Sequence, residues 1–200
     1  MGIRADIHSA WARFADARER NPRHTLFTHP LPAFPLPERR AVTDLPQVAI
    51  VTPCKDAEAS LTAYAALIEA LEYPKDRLHW IVLEGDSTDG TEAAARAMLD
   101  AARGYASTRF IKHDIGASHA RATRTEKSVQ RARRAAIAAC RNRLLAAAMD
   151  TPAAFVLCID ADMAVIPPDA LRRALDWSAP ILAANCLRHG DDTVFDPNSF

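Results

Sequence analysis

The sequence predicts an α/β fold in which helices cover both faces of a mainly parallel β-sheet. From residue 47 onward, short apolar runs alternate with segments of helical periodicity, and this alternation is typical of parallel sheets. The apolar runs are continuous, as expected for strands that are buried on both faces. Polar loops follow several of these runs, which places the loops at the carboxyl edge of the sheet, where ligands of such folds bind.

Each element follows from a local pattern. Apolar runs predict strands at residues 48–52, 80–83, 109–112, 155–159 and 181–184. Helical spacing of apolar residues predicts helices at residues 60–71, 91–103 and 129–149, and Pro167-Pro168-Asp169 starts a further helix. Gly104 is a suitable C-cap for the helix at 91–103. In the longest helix one apolar stripe should face the sheet, and it consists of Ile137, Cys140, Leu144 and Ala148.

Two regions divide the chain. Residues 1–46 are predicted to be an N-terminal appendage, with a short helix at residues 4–18 and a proline-rich connector. Proline fixes φ and removes a backbone donor, so the connector should lack regular structure. Residues 47–200 form the predicted sheet domain, and the whole chain of 200 residues is long enough for one domain.

Charge and composition exclude several classes of protein. Lys plus Arg and Asp plus Glu both number 25, so no net charge attracts the protein to nucleic acid or to an anionic membrane. Residues 1–14 have no apolar core of the kind a secretory signal needs, and no window reaches the length of a membrane span. The four cysteines form no CxxC pair, which indicates reduced, buried thiols. We therefore expect a cytoplasmic location, free or peripheral to a membrane.

Asp160 and Asp162 form the most informative pattern. They directly follow the most apolar predicted strand, and residues i and i+2 of an extended chain point to the same side. Two carboxylates placed in this way repel each other unless a cation neutralises them. Mg²⁺ and Mn²⁺ take oxygen ligands together with substrate phosphates. The alternative is that both aspartates only form a turn or cap the next helix.

The loop from Glu84 to Thr91 is the second candidate. An acidic residue at the end of a strand, such as Glu84 or Asp86, can accept hydrogen bonds from a ribose or a base. Ser87, Thr88 or Asp89 can instead cap the next helix, and for Thr88 and Asp89 capping is the better explanation.

The basic helix is the third candidate. Its arginines include Arg133, Arg134 and Arg141, with Asn142 next to the last of these. The guanidinium group is a planar fork of donors that suits diphosphate oxygens. Arg134 and Arg141 are seven residues apart and share a helix face. Arginines in an alanine-rich helix are more often simply solvated.

Taken together, five segments resemble the GT-A glycosyltransferases. They are VAIVTPCKDAEASL, IVLEGDSTDGT, RRAAIAACRNRLL, FVLCIDADMAVIPPDAL and ILAANC with FDPNSF. Within that fold, the chain is most similar to the mannan polymerase subunit family of α-mannosyltransferases, and more loosely to the family 2 glycosyltransferases. The resemblance covers residues 47–200. It implies a GT-A (Rossmann-like) fold and a metal-dependent transferase that moves mannose from GDP-mannose to a hydroxyl of a glycan or other acceptor, with retention.

The resemblance also implies a role for individual residues. It places Asp160 and Asp162 as ligands of Mn²⁺ or Mg²⁺ and, with Asp196, as catalytic residues. It places ten residues against the donor or acceptor, namely Thr52, Pro53, Lys55, Glu84, Asp86, Arg134, Arg141, Asn142, Asn185 and Asn198.

The sequence departs from the pattern on its C-terminal side. The likeness implies acceptor-binding elements and a metal-ligating histidine that residues up to Phe200 do not provide. We therefore expect a domain that lacks the acceptor portion, with a partner chain as one source of it. The alternative function is a truncated, non-catalytic domain that binds a nucleotide sugar or a partner. Haloacid-dehalogenase-type phosphatases also carry DxD after a strand, but no lysine follows Asp162 here.

Overall fold

The computed structural model describes residues 43–116, 127–177, 179–184 and 186–187. Its elements alternate between strand and helix, beginning with β1 (Val48–Cys54), α1 (Glu58–Glu69), a 3-10 turn (Lys75–Arg77), β2 (Leu78–Glu84) and α2 (Thr91–Ala101). They continue with β3 (Ser107–Lys112), α3 (Lys127–Met149), β4 (Phe155–Cys158) and α4 (Ala170–Leu175). No helix in these ranges combines the length and apolar character that crossing a bilayer requires.

The four strands form one parallel sheet in the order β3-β2-β1-β4. Thr52 is level with Val82 on one side of β1, and Val51 is level with Cys158 on the other. The chain builds outward from β1 to β3 and then returns to the far side of β1 for β4. The strand order therefore reverses between β1 and β4, and in open α/β sheets the crevice at such a switch point is where ligands bind.

Helices cover both faces of the sheet, as the sequence predicts. On one face, α1 and α2 pack over Ile50 and Trp80. On the other face, Leu144 of α3 packs over Val51 and Ile81. All seven residues of β2 are buried, which explains the uninterrupted apolar run at residues 80–83. Each large side chain buried in these two cores contributes roughly 1.5–3 kcal/mol.

Most predicted elements are confirmed to within two residues at each end. The apolar stripe of α3 faces the sheet, with Leu144 and Ala148 buried and Ile137 and Cys140 half-buried. Gly104 has a φ of +78° but lies two residues beyond the C-cap, Ala102. The predicted helix at residues 4–18 lies outside the described ranges.

Two expectations are wrong. Residues 181–184 are exposed and form no strand, because an apolar run becomes a strand only where a neighbouring strand pairs with it. The cysteines are all free thiols, but only Cys54 is buried. Cys158 is exposed because β4 is at the edge of the described sheet, where Val156 is also 41% exposed.

Candidate active site

The carboxyl end of β4 presents two carboxylates to solvent. Burial alternates along this segment, with Ile159 and Ala161 buried and Asp160 and Asp162 exposed. The Ile159 N–H donates to the Val51 carbonyl at 3.1 Å, which extends the pairing of β4 with β1. The two aspartates therefore leave the sheet on the same side, beside the end of β1.

Arg141 of α3 pairs with the first of these carboxylates. One guanidinium nitrogen lies 3.3 Å from Asp160 Oδ1 and 3.5 Å from Oδ2. Both side chains are about half exposed, at 52% and 54%. Helix α3 carries six basic residues and no acidic one, and Arg134 and Asn142 lie exposed on it. The basic helix thus borders the acidic strand end.

The donor set of Asp160 and Asp162 fits a hard divalent cation. Asp162 forms no hydrogen bond or ion pair with another described residue. No group of three or more His, Cys, Asp or Glu side chains suited to a metal exists within the described ranges. Mg²⁺ and similar ions are commonly held by one or two carboxylates, with phosphates and water completing the shell. The arginine at Asp160 shows that this position already attracts a positive charge.

Residues at the end of β1 differ in what they expose. Thr52 is fully buried, and its hydroxyl is hydrogen-bonded to the Tyr64 hydroxyl of α1. Thr52 can therefore contact a ligand only through its backbone. Burial raises the pKa of Tyr64, so this hydroxyl stays neutral. Pro53 is half-buried, and Lys55 is exposed just beyond the strand.

Glu84, at the end of β2, is fully buried and internally paired. Its Oε1 accepts the Ser87 N–H at 3.0 Å, and its Oε2 accepts from Lys112 Nζ at 2.5 Å. Lys112 also lies 3.0 Å from Asp114 and 3.4 Å from Glu92. Hydrogen bonds to Glu84 first, and then to Asp114, raise the pKa of Lys112. Both oxygens of Glu84 are thus already engaged.

Asp86 and Asp114 connect the loops that follow β2 and β3. The Asp86 N–H donates to Asp114 Oδ1 at 2.7 Å. In return the Asp86 carboxylate accepts the N–H groups of Ile115 and Gly116 at 3.2 and 2.9 Å. The bond from the Asp86 backbone, followed by Lys112, lowers the pKa of Asp114. A Cβ on Gly85 would lie 2.1 Å from the His113 carbonyl oxygen, so this close approach of the two strands requires glycine.

Asp89 caps two helices at once. Its Oδ2 accepts the Glu58 N–H at the start of α1 at 3.2 Å, and its Oδ1 accepts the Thr91 N–H at the start of α2 at 3.0 Å. The Glu58 carboxylate accepts the Gly90 N–H at 2.9 Å, so the two helix starts cap each other. Nearby, Asp56 Oδ1 accepts the Thr88 N–H at 2.8 Å. The capping interpretation of Asp89 is confirmed.

The structure places the predicted site residues in several positions. Asp160 pairs with Arg141 at the end of β4, and Asp162 follows two residues later. Arg134 and Asn142 are exposed on α3, and Thr52, Pro53 and Lys55 lie at the end of β1. Glu84 and Asp86 belong to the network at the ends of β2 and β3. Asn185, Asp196 and Asn198 lie outside the described residues.

Sequence reasoning missed Lys112 and Asp114, which organise the network at β2 and β3. The signal was the charged tail Lys112-His113-Asp114 after the third strand, since every strand of a parallel sheet ends at the same edge.

Residues 37–200 match the model of the Anp1 family. The chain belongs to the Anp1 family. A curated relative of this Anp1 chain is the mannan polymerase complex subunit mnn9 of Schizosaccharomyces pombe, which is 26% identical over 142 residues. That alignment covers 65% of this chain and 42% of mnn9.

A solved mannosyltransferase structure shares the fold of this Anp1 chain. The mannosyltransferase PcManGT from Pyrobaculum calidifontis, solved with GDP-Man and Mn²⁺, superposes with a TM-score of 0.54 at 19% identity. The match covers 78% of this chain and 40% of PcManGT. S. aureus TarS, solved with UDP, gives a TM-score of 0.46 at 16% identity over 64% of this chain and 31% of TarS. The chain thus spans about two fifths of mnn9 and of PcManGT, and the structural likeness establishes a GT-A-type fold.

Proposed function

We propose that this Anp1-family chain is the donor-binding part of a metal-dependent glycosyltransferase, and that its donor is GDP-mannose. One observation carries the proposal, namely the pair of exposed carboxylates, Asp160 and Asp162, at the switch point between β1 and β4. Family membership supports it. So does the fold shared with a mannosyltransferase that was solved with GDP-Man and Mn²⁺.

In this proposal Asp160 and Asp162 hold Mn²⁺ or Mg²⁺. The bound ion supplies Lewis-acid stabilisation of the departing nucleoside diphosphate. Arg141 and Arg134 donate hydrogen bonds to the diphosphate oxygens, because a guanidinium matches phosphate geometry. Asn142 is exposed beside Arg141 on the same helix and adds a polar contact.

The nucleoside end of the donor lies toward β1 and β2. Lys55, Pro53 and the backbone of Thr52 border it from β1. On β2, Asp86 is half-exposed whereas Glu84 is buried and paired. Direct contact with the ribose or base is therefore assigned to Asp86, whose carboxylate also accepts the Ile115 and Gly116 N–H groups but is partly exposed, while the buried Glu84 supports the loop.

The acceptor in this proposal is a hydroxyl of a glycan or similar molecule. Asn185, Asp196 and Asn198 are proposed to approach the transferred sugar and the acceptor, with Asp196 in a catalytic role. A partner chain that completes the acceptor side is part of the proposal, and the name of mnn9, a subunit of a complex, is consistent with it.

Calorimetric titration of GDP, UDP and GDP-mannose, first in Mn²⁺ and then in EDTA, tests the donor and the metal together. We expect binding that depends on metal and favours the guanine ligands. Metal-dependent binding of UDP instead would support the proposed metal site but contradict GDP-mannose as the donor. Absence of binding to all three would contradict the proposal.

A second measurement separates transfer from binding. GDP-mannose is incubated with an oligomannose acceptor, and the products are analysed by mass spectrometry. Addition of a hexose establishes a transferase. Tight metal-dependent binding without either transfer or donor hydrolysis would indicate the non-catalytic domain.

A further inference from the structure

Arg141 is paired with a carboxylate of the proposed metal site. One guanidinium nitrogen of Arg141 lies 3.3 and 3.5 Å from the two carboxylate oxygens of Asp160. A metal ion bound by Asp160 would use the lone pairs of these same oxygens. We propose that Arg141 is a positioning residue that occupies Asp160 in the metal-free protein. When the cation binds, Arg141 is released to the diphosphate of the donor. This inference rests on the proposed function and adds a coupling between metal and donor.

The geometry of the pair makes it easy to displace. Charge-assisted N–H···O bonds usually measure about 2.7–2.9 Å, and strong arginine–carboxylate pairs use two parallel bonds. Here a single nitrogen is shared between both oxygens at longer distances. Both side chains are also about half exposed, and exposed ion pairs contribute little to stability. A dication can therefore replace the arginine at small cost.

Once displaced, Arg141 needs an anion. Asp160 is its only ion-pair partner within the described residues, and helix α3 contains no acidic residue to replace it. A dication at Asp160 also repels the guanidinium, because two positive centres would lie within a few ångströms of each other. The diphosphate of a nucleotide sugar supplies the missing negative charge.

Asp162 is available as the first ligand of the metal. It forms no ion pair with any residue that the structure describes, so a cation can bind there before Arg141 leaves Asp160. Without the donor, the metal must displace Arg141 from Asp160 and leave the guanidinium without an anion. With the donor present, the carboxylates pair with the metal and Arg141 pairs with the diphosphate. The two ligands should consequently bind with positive coupling, each raising the affinity for the other by the same factor.

The test compares Arg141→Gln with Arg143→Gln. Arg143 is on the same helix and exposed, and it has no partner among the described residues, so its variant removes the same charge without touching Asp160. Binding of Mn²⁺ alone is measured by the electron paramagnetic resonance signal of the free ion. GDP binding in Mn²⁺ and in EDTA is measured by calorimetry, and circular dichroism checks folding.

We expect Arg141→Gln to bind Mn²⁺ alone on the order of 3- to 10-fold more tightly than the unmodified chain. We expect it to bind GDP in Mn²⁺ at least about 10-fold more weakly, because the phosphate loses a charged donor. Arg143→Gln should change Mn²⁺ affinity by less than about 2-fold, because an exposed and more distant charge is screened. Arg141→Lys should keep the competition for Asp160 and recover part of the GDP affinity.

Each contrary result has a distinct meaning. Unchanged or weaker Mn²⁺ binding in Arg141→Gln, with weaker GDP binding, would make Arg141 a plain phosphate ligand and overturn the competition. An equal gain in Arg143→Gln would assign the effect to overall charge and overturn it as well. If the unmodified chain binds neither Mn²⁺ nor GDP, the proposed function fails first, and this inference fails with it.

Discussion

The carboxyl edge of the sheet has two halves, and their carboxylates differ in how many hydrogen-bond and ion-pair partners the chain supplies. In the closed half, which comprises Glu84–Gly90 and Lys112–Gly116, the chain itself supplies partners to Glu84, Asp86, Asp89 and Asp114. In the open half, which comprises Asp160–Asp162 and Arg141, one carboxylate has a long ion pair and the other has no described partner.

The difference separates carboxylates whose partners the chain itself supplies from carboxylates that it leaves exposed to solvent. A carboxylate that accepts two or three N–H bonds is stable as an anion without a metal. Asp160 and Asp162 are both exposed, and their one ion pair with the protein is the long contact between Asp160 and Arg141. Such a pair of carboxylates favours binding of a divalent cation. Residue type alone does not distinguish the halves, but the inventory of partners does.

The two cysteines at the strand ends provide the largest expected contrast. Cys54 in β1 is buried beneath the closed half, and burial, followed by the charges of Glu84 and Asp89, raises its pKa to about 12. Cys158 in β4 is exposed beside the open half, although desolvation also raises its pKa.

At pH 8 we expect alkylation of Cys54 to be roughly a thousandfold slower than that of Cys158, because less of Cys54 is in the reactive thiolate form and because its sulfur is buried away from the reagent. Labelling with iodoacetamide, followed by peptide mass spectrometry, measures both rates in one sample. Denaturant should remove the difference. Equal native rates would mean that the closed half opens readily.

Asp162→Asn should abolish the function of the open half without unfolding the chain. Loss of one of two carboxylate ligands is expected to weaken Mn²⁺ binding on the order of 100-fold. Asp114→Asn is the control, because Asp114 is likewise an exposed aspartate beyond the end of a strand but belongs to the closed half. Calorimetry with Mn²⁺ should show a loss in Asp162→Asn only, and a similar loss in both would contradict the division into halves.

The sequence predicts the framework well. The alternation of apolar runs and helical segments gives a parallel sheet with covered faces, and the spacing of Asp160 and Asp162 places both on one side. These inferences depend on neighbours within a few residues. Arg141 is a candidate from the basic helix and from the family likeness, but its contact with Asp160 spans 19 residues of sequence and could not be predicted.

Apart from the capping by Asp89, the contacts of the closed half could not be predicted, because the partners are distant in sequence. Glu84 is separated by 28 residues from Lys112, and Asp86 by 30 residues from Gly116. Only the register of β2 against β3 brings these groups together. The erroneous strand at residues 181–184 has the same origin, since an apolar run does not reveal whether a pairing strand exists.

Glu84→Gln should destabilise the fold by removing a buried charge at the centre of the closed half. The neutral amide cannot form an ion pair with Lys112, and the buried position loses the charge-assisted hydrogen bonds that Glu84 accepts from Lys112 and the Ser87 N–H, so we expect the free energy of unfolding to fall by about 2 kcal/mol. Glu92→Gln is the matched control, because Glu92 contacts the same lysine but is 42% exposed. Urea unfolding should show a much smaller change for Glu92. Equal losses would mean that burial of Glu84 is unimportant.

Asp89→Ala is expected to have the smallest effect, and it tests whether the closed half is a capping structure. The change removes an acceptor for the first N–H groups of both α1 and α2, so unfolding free energy should fall by about 1 kcal/mol. Asp100→Ala, at an exposed site near the end of α2, should change it by less than about 0.5 kcal/mol.

The loss in Asp89→Ala should also depend on pH in one direction. Hydrogen bonds, first from the Thr91 hydroxyl, lower the pKa of Asp89 below its ordinary value of 3.8. The anion therefore stabilises the fold fully above that value, and this contribution disappears as pH falls through the lowered pKa. Urea unfolding should give a constant difference between the unmodified chain and Asp89→Ala from pH 7 to pH 5, and a shrinking difference below 3.8. A difference that grows on acidification would show that Asp89 does not act as a charged cap.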